Sequence, residues 1–280
     1  MSDQLFLLFQ RLLPKKQLTE LLGKLANVKG GHLTTSFIRC FIKRYGVNMQ
    51  EAVQEDPAFY ETFNAFFTRE IKKELRPFAD SDLISPVDGA ISQLGKINVD
   101  QIFQAKGKSF TTTALLGGDS ILAEQFHHGR FATLYLSPKD YHRIHMPCGG
   151  KLKKMIYVPG DLYSVNPLTA RSIDRLFARN ERVVCVFEGA AGLFAMVLVG
   201  ATVVGSIKTR WHGVVNSPRP IGLQTWQYNG DYYLEKGDEM GQFLLGSTVV
   251  LVYPDVGYEF EPDWQPGRPI TMGEAMARRV

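Results

Sequence analysis

Phe243-Leu-Leu-Gly-Ser-Thr-Val-Val-Leu-Val252 is the stretch on which the reading of this chain turns. Apolar and β-branched residues fill it, and its length suits a strand. Gly246-Ser247 interrupts the run. A glycine in such a place weakens a strand unless something must approach the backbone closely. One reading is structural: Gly-Ser-Thr forms bulges and turns in many proteins. The other is chemical. The Ser247 hydroxyl lies next to the unhindered carbonyl of Gly246, and its attack there converts the peptide bond into an ester.

Working outward, short β-rich runs dominate from Ile84 onward: Ala90–Ile97, Phe131–Leu136, Lys151–Val158, Val183–Phe187, Phe194–Val199 and Ala201–Ile207. Gly149-Gly150, Pro159-Gly160-Asp161 and Asn229-Gly230-Asp231 are turn signals between them. Helices are expected at about Ser120–His127 and Pro167–Phe177. Before Ile84 the pattern is helical. Leu5–Leu13 ends at Pro14, Gln17–Ala26 carries Leu18, Leu21, Leu22 and Leu25 on one face, and Leu33–Tyr45 carries Phe37, Ile38, Phe41 and Ile42. Asp56-Pro57 and the aromatic run Tyr60, Phe63, Phe66, Phe67 read as a further helix. The expected class is α+β, with a helical N-terminal region over residues 1–75 and a mainly antiparallel β core with a few helices over 76–280.

Composition narrows the function. Of the net charge of +4, residues 1–44 carry more than the whole, with eight Lys/Arg against Asp3 and Glu20. Basic amphipathic helices suit an anionic membrane surface, and equally a protein core or a partner subunit, because burial and insertion need the same periodicity. No run reaches the ~18 apolar residues of a membrane span. Cys40, Cys148 and Cys185 are scattered and form no metal or redox motif, which suits a reducing compartment. Neither a secretory signal nor a transit peptide is evident, favouring a bacterial-type cytoplasmic protein.

Five segments follow in order: Ser85-Pro-Val-Asp88-Gly89 with Ile91–Lys96, Tyr135-Leu-Ser-Pro-Lys-Asp-Tyr-His142-Arg-Ile-His145-Met-Pro147, Leu176–Arg182, and Leu245-Gly-Ser-Thr248, preceded by Phe63-Asn-Ala-Phe-Phe-Thr-Arg69. Together they resemble the phosphatidylserine decarboxylase proenzymes, which are self-cleaving and pyruvoyl-dependent. The resemblance spans about Phe63 to Val252. It implies cleavage between Gly246 and Ser247 into fragments 1–246 and 247–280 that remain associated. Ser247 would become the pyruvoyl cofactor, with no pyridoxal phosphate and no metal. Asp88, His145 and Ser247 would form an Asp-His-Ser arrangement, with His145 taking the serine proton and Asp88 holding the imidazole tautomer. His142 would protonate the carbanion left when a Schiff base between phosphatidylserine and the pyruvoyl group loses carbon dioxide. The implied setting is peripheral, on the cytoplasmic side of the cell membrane, with phosphatidylserine in an anionic bilayer as substrate, a homodimer, and no nucleic-acid partner.

Read by themselves, these residues leave other options open. Asp88 fits an ordinary Pro-Val-Asp-Gly turn, and His145 a satisfied histidine beside a Met-Pro turn. His142 and His145 form an H-x-x-H pair, but no third ligand falls at matching spacing. Arg143, Arg179 and Arg182 read as solvated surface cations. A serine hydrolase using Asp88, His145 and Ser247 without self-cleavage would leave the chain intact. A non-enzymatic membrane-docking β domain would be indifferent to all three residues.

Overall fold

A computed structural model describes residues 10, 13–202, 206–244 and 247–280, with only the backbone given for Ser247. Two helices open it, α1 (Lys15–Leu25) and α2 (His32–Tyr45), followed by the short α3 (Phe63–Phe67). Strands β1 (Leu83–Ile84), β2 (Gly89–Lys96), β3 (Gln101–Ala105) and β4 (Lys108–Thr111) come next, then α4 (Thr112–Leu115) and α5 (Ser120–Glu124). After β5 (Arg130–Leu136), β6 (Arg143–His145) and β7 (Gly150–Val158) lie α6 (Pro167–Ser172) and α7 (Leu176–Arg179). Strands β8 (Arg182–Gly189), β9 (Gly192–Val199), β10 (Ser206–Thr209), β11 (Gly213–Val214), β12 (Gln224–Gln227) and β13 (Tyr233–Leu234) follow. The chain ends with β14 (Glu239–Leu244), β15 (Ser247–Tyr253), β16 (Tyr258–Phe260), β17 (Pro269–Ile270) and β18 (Ala275–Arg279). The class is α+β, as expected.

Nine strands form the main sheet, in the order β12-β7-β8-β9-β15-β5-β2-β17 with β13 also on β7, and every pairing is antiparallel. Its central strands are apolar on both faces. Val249, Leu251, Met196, Leu198, Val183 and Cys185 point into one core, while Val250, Val252, Val197, Val184 and Val186 point into another. The second core is covered by α4 to α7, with Leu115, Leu122, Phe126 and Phe177 buried in it. The first lies against the four-stranded sheet β11-β10-β14-β6 and the three-stranded sheet β1-β18-β16, which supply Ile207, Phe243, Ile144 and Met276. Being sandwiched on both sides explains why these strands read as continuous apolar runs rather than alternating ones.

Several boundaries differ from the sequence expectation. Phe243–Val252 is not one strand: β14 ends at Leu244 in the four-stranded sheet, and β15 starts at Ser247 in the centre of the nine-stranded sheet. Asp56–Phe67 is not one helix either. Asp56 caps a 3-10 turn at Pro57–Phe59, and Thr62 caps α3 separately. The helix expected over Pro167–Phe177 is broken in two, with Arg175 at φ 53° between the pieces. Of Ala201–Ile207, Ser206 and Ile207 are strand and Ala201 and Thr202 are not, and residues 203–205 lie outside the described residues. The Leu5–Leu13 pattern lies outside them too, apart from Gln10 and Leu13.

The N-terminal helices pack in an unusual sense. In α1 the residues against the protein are Lys15 and Thr19, whereas Leu21 and Leu25 are more than half exposed. Lys15 Nζ donates to the Gln10 carbonyl at 3.0 Å and lies over the Tyr163 ring. In α2 only Ile38 is buried, and Leu33 is 80 % and Phe37 58 % exposed. Inward-facing Phe63, Phe66 and Phe67 from α3 join Ile38, Val47 and Tyr60 in a small cluster of their own.

Asn180 ties the helical layer to the sheet. Fully buried, it donates Nδ2 to the carbonyls of Tyr163 (2.8 Å) and Gly200 (2.9 Å) and accepts from Tyr163 N at 3.1 Å. Asn180→Ala strands three buried backbone groups. The expected loss is about 3 kcal/mol of unfolding free energy, read from the denaturant midpoint.

Candidate active site

Two strand pairings assemble the site. In the four-stranded sheet β6 lies along β14, with His145 opposite Glu239, Ile144 opposite Gly241 and Arg143 opposite Gln242. One residue further, Phe243 N donates to the His142 carbonyl at 3.0 Å. Both histidines are thereby fixed against the strand that leads into Gly246. In the nine-stranded sheet Ser247 lies opposite Leu136 and Thr248 opposite Tyr135, and Tyr135 in turn lies opposite Ala90. Asp88 precedes β2 by one residue, so it enters beside the same row. Gly89 permits this, since a Cβ there would stand 2.3 Å from the Tyr135 carbonyl oxygen. Gly246 and the Ser247 side chain lie outside the described residues.

His142 is fully buried, with its ring 4.1 Å from that of Phe67. A carbonyl can only accept, so Nδ1–H donates to the Asp140 carbonyl (2.8 Å), and Nε2 keeps a bare lone pair with no partner. Burial, helped by the nearby Arg69 charge, lowers its pKa to about 3. His142 is therefore a neutral base held in one tautomer.

His145 is held likewise, but not as expected. Its Nδ1 donates to the Gly237 carbonyl at 2.8 Å, and its Nε2 accepts from the Tyr141 hydroxyl at 3.1 Å. Burial pulls its pKa below the ordinary value, against the raising influence of that carbonyl, Glu239 and Asp88. The carboxylate of Asp88 is engaged elsewhere. It receives Arg76 Nε at 2.9 Å, Arg76 Nη2 at 2.6 Å and Met272 N at 2.7 Å, while Arg76 Nη2 also reaches Glu51 at 2.7 Å. A backbone carbonyl, and not Asp88, fixes the His145 tautomer, and Asp88 acts on the imidazole only as a charge at longer range.

Residues 67–69 clamp the histidine segment from the arm side. Phe67 packs on His142, the Thr68 carbonyl accepts from Arg143 Nε (2.9 Å), and Arg69 Nη2 donates to the Lys139 carbonyl (2.9 Å). Between arm and core lies a cavity of about 380 Å³, lined among others by Arg69, Arg76, Asp88, Tyr135, Ser137 and Tyr141. Tyr141, Arg76 and Gly237 were not assigned roles from sequence. Tyr141 sits inside the Tyr135–Pro147 segment, which is a signal of sorts, whereas Gly237 acts through its backbone and leaves none. Arg143 bonds Glu239 and Glu70, and Arg179 bonds Asp161. Arg182 is no surface cation: it is buried, donates to the carbonyls of Leu115, Asn180 and Ala114, and has its pKa lowered by burial to about 10. Among the described residues no three His, Cys, Asp or Glu side chains cluster as metal ligands.

This geometry is joined by sequence comparison. The sequence model described as phosphatidylserine decarboxylase matches residues 63–278, and a second, described as PSD, matches residues 5–46. The chain belongs to the phosphatidylserine decarboxylase family. It is 62 % identical over 277 residues to the phosphatidylserine decarboxylase proenzyme of Dechloromonas aromatica, covering 99 % of this chain and 98 % of that one. It is 62 % identical over 279 residues to that of Chromobacterium violaceum, covering 99 % and 100 %. It is 60 % identical over 281 residues to that of Herminiimonas arsenicoxydans, covering 100 % and 96 %.

The segments that carried the family resemblance now have places. Phe63–Arg69 is the clamp, Ser85–Gly89 and Tyr135–Pro147 flank the cavity, and the Gly246-Ser247 link joins the two sheets. A pyruvoyl group made from Ser247 fits this surrounding, because buried polar atoms without partners, His142 Nε2 and Thr248 Oγ1, belong to the segments bordering it. Gly89→Ala would drive β2 from β5 and shift Asp88. The expected outcome is a chain that folds but self-cleaves at least about tenfold more slowly, followed on denaturing gels, as befits a displacement near 1 Å of a positioned group.

Proposed function

We propose that the chain decarboxylates phosphatidylserine to phosphatidylethanolamine, after cutting itself between Gly246 and Ser247 and turning Ser247 into a pyruvoyl group. The observation that carries this is the passage from β14, along which the His142–His145 segment runs, to β15, which pairs with β5 next to the strand β2 that Asp88 precedes. When formed, the group supplies an electrophilic carbonyl that captures the substrate amine and accepts the electron pair released with carbon dioxide.

The chain's own residues do the proton work. Neutral His145 accepts the Ser247 proton by way of Tyr141, whose hydroxyl takes it up as it passes its own proton to Nε2, while Nδ1–H is kept in place by Gly237. Asp88 stabilises the imidazolium that results, at a distance and locked by Arg76. His142, a base at neutral pH, takes a proton from the substrate ammonium at Nε2 and returns it to the carbon that loses carbon dioxide. Burial of both rings and the Phe67 contact keep water from competing. Strand β15 holds fragment 247–280 between β5 and β9 after the bond is cut.

In this reading residues 1–75 are the membrane arm and 76–280 the catalytic core. The arm docks peripherally on the cytoplasmic side of the membrane, through the outward apolar stripe of α1 and α2 with Lys16, Lys24, Arg39 and Lys43 beside it. No helix among the described residues is long and apolar enough to cross a bilayer. The same arm lines the cavity through Gly46, Asn48 and Arg69, so a lipid drawn from the bilayer meets the site at the arm–core junction.

Ser247→Ala is expected to remain one inactive chain. The parent should give two fragments that co-elute in native buffer and separate in denaturant, the shorter one lighter than a serine-started peptide by one ammonia. His145→Ala and Asp88→Asn should slow this cleavage, whereas His142→Ala should cleave yet decarboxylate at least about a hundredfold more slowly. Cleavage-defective His142→Ala with normally maturing His145→Ala would reverse the two roles.

Leu33→Asp with Phe37→Asp should weaken binding to anionic vesicles by at least about tenfold and leave self-cleavage unchanged. Wild-type binding should fall, but persist, as salt rises, because apolar contacts are not screened. Undiminished vesicle binding by the double variant would place the membrane surface elsewhere.

A further inference from the structure

Within the cavity the cations are unequally occupied. Arg76 spends its donors on Asp88, Glu51 and the Leu75 carbonyl. Arg69 is 5 % exposed and makes one hydrogen bond, from Nη2 to the Lys139 carbonyl, with its guanidinium 5.3 Å from the Phe66 ring centroid. Its Nη1 is buried and has no partner. Asp88, Glu51 and Asp140 act on it at longer range, but none is hydrogen-bonded to it. Nearby, the Ser137 hydroxyl is also buried, beside the Asp140 carboxylate that accepts from the Ser137 backbone N–H. Ser137 follows Leu136, the cross-strand neighbour of Ser247. A buried guanidinium with a spare donor is costly to maintain unless an anion completes it.

The substrate offers two anions, a phosphodiester and a carboxylate. A cation on the carboxylate would stabilise the charge that must leave it and so oppose the loss of carbon dioxide. The phosphodiester keeps its charge throughout the reaction, and its two free oxygens suit an arginine and a hydroxyl donor. We propose that Arg69, assisted by Ser137, binds the phosphodiester of the lipid head group and so sets the depth at which the serine moiety enters. This rests on the reading above that the cavity lined by Asp88 and Tyr141 belongs to the active site. Because the contact is equal in ground and transition state, its loss raises KM and spares kcat.

The test uses the intact Ser247→Ala chain, titrated calorimetrically with glycerophosphoethanolamine, which has the phosphodiester and no carboxylate, and with L-serine, which has the reverse. Arg69→Gln should weaken glycerophosphoethanolamine binding by about tenfold or more, Arg69→Lys should restore part of it, and serine binding should not change. In the cleaved enzyme assayed in mixed micelles, Arg69→Gln should raise KM by a similar factor and by more than it lowers kcat, with part of the KM recovered in Arg69→Lys. Thermal unfolding of each variant checks the fold, and if Arg69→Gln unfolds, Arg69→Lys and Ser137→Ala carry the comparison, each weakening the phosphodiester probe by at least about threefold. Glycerophosphoethanolamine that fails to bind the Ser247→Ala chain, or binds it equally without Arg69, overturns the anchor, as does a loss confined to kcat or to serine binding. If instead His142→Ala decarboxylates normally, the location of the active site is what fails.

Discussion

The architecture hangs on one crossing. Between Leu244 and Ser247 the chain leaves a four-stranded sheet and enters the middle of a nine-stranded one. The two sheets are held at a fixed separation by the apolar core between them, to which β14 gives Phe243 and β15 gives Val249 and Leu251. Strand β14 is held in its ladder up to Leu244 and β15 in its own from Ser247 onward, and the segment with His142 and His145 lies along β14. Such over-determination is what proximity effects require, since a group within reach of its target by covalent geometry and sheet packing needs no further ordering.

The helical arm is coupled to this centre more closely than its position in the chain suggests. Phe67, Thr68 and Arg69 each grip the 139–143 segment, by ring contact, carbonyl and guanidinium respectively. Arg76, from the charged segment that follows the arm, locks Asp88. The outward apolar residues of α1 and α2 and those that shape the histidine environment thus belong to one continuous stretch. In the proposed reading lipid engagement and catalytic geometry share a mechanical element, although the outward stripe of α1 and α2 and the clamp after α3 use different residues.

What sequence revealed and what it hid follow from the kind of signal each feature leaves. Apolar runs punctuated by glycine gave the β-rich core, and 3.6-residue periodicity gave α1 and α2, because both are local patterns. Periodicity cannot say which face of a helix meets the protein, so the burial of Lys15 and Thr19, with Leu21 and Leu25 outside, had to be seen. Phe243–Val252 looked like one strand because the end of β14 and the whole centre of β15 are apolar, and a change of sheet has no compositional mark. Motifs singled out Asp88, His142 and His145 as candidates. The two imidazole tautomers were not legible, since carbonyls of Asp140 and Gly237 hold them, and a backbone acceptor carries no residue identity. Arg182 looked like a surface cation for the same reason: its partners are all carbonyl oxygens.

The central place of β15 has a consequence for the molecule's history. It is flanked on both sides by strands from the longer fragment, β9 and β5, and reaches that position while still joined to β14. With the cut before Ser247 that we propose, a 34-residue piece that unfolds and leaves must find its slot again from solution, in competition with pairing of the exposed strand edges among themselves. Folding is unimolecular before maturation and bimolecular after it. The active enzyme consequently endures by the slowness of its unfolding, and dilution, which leaves the precursor's refolding rate untouched, works against the mature form.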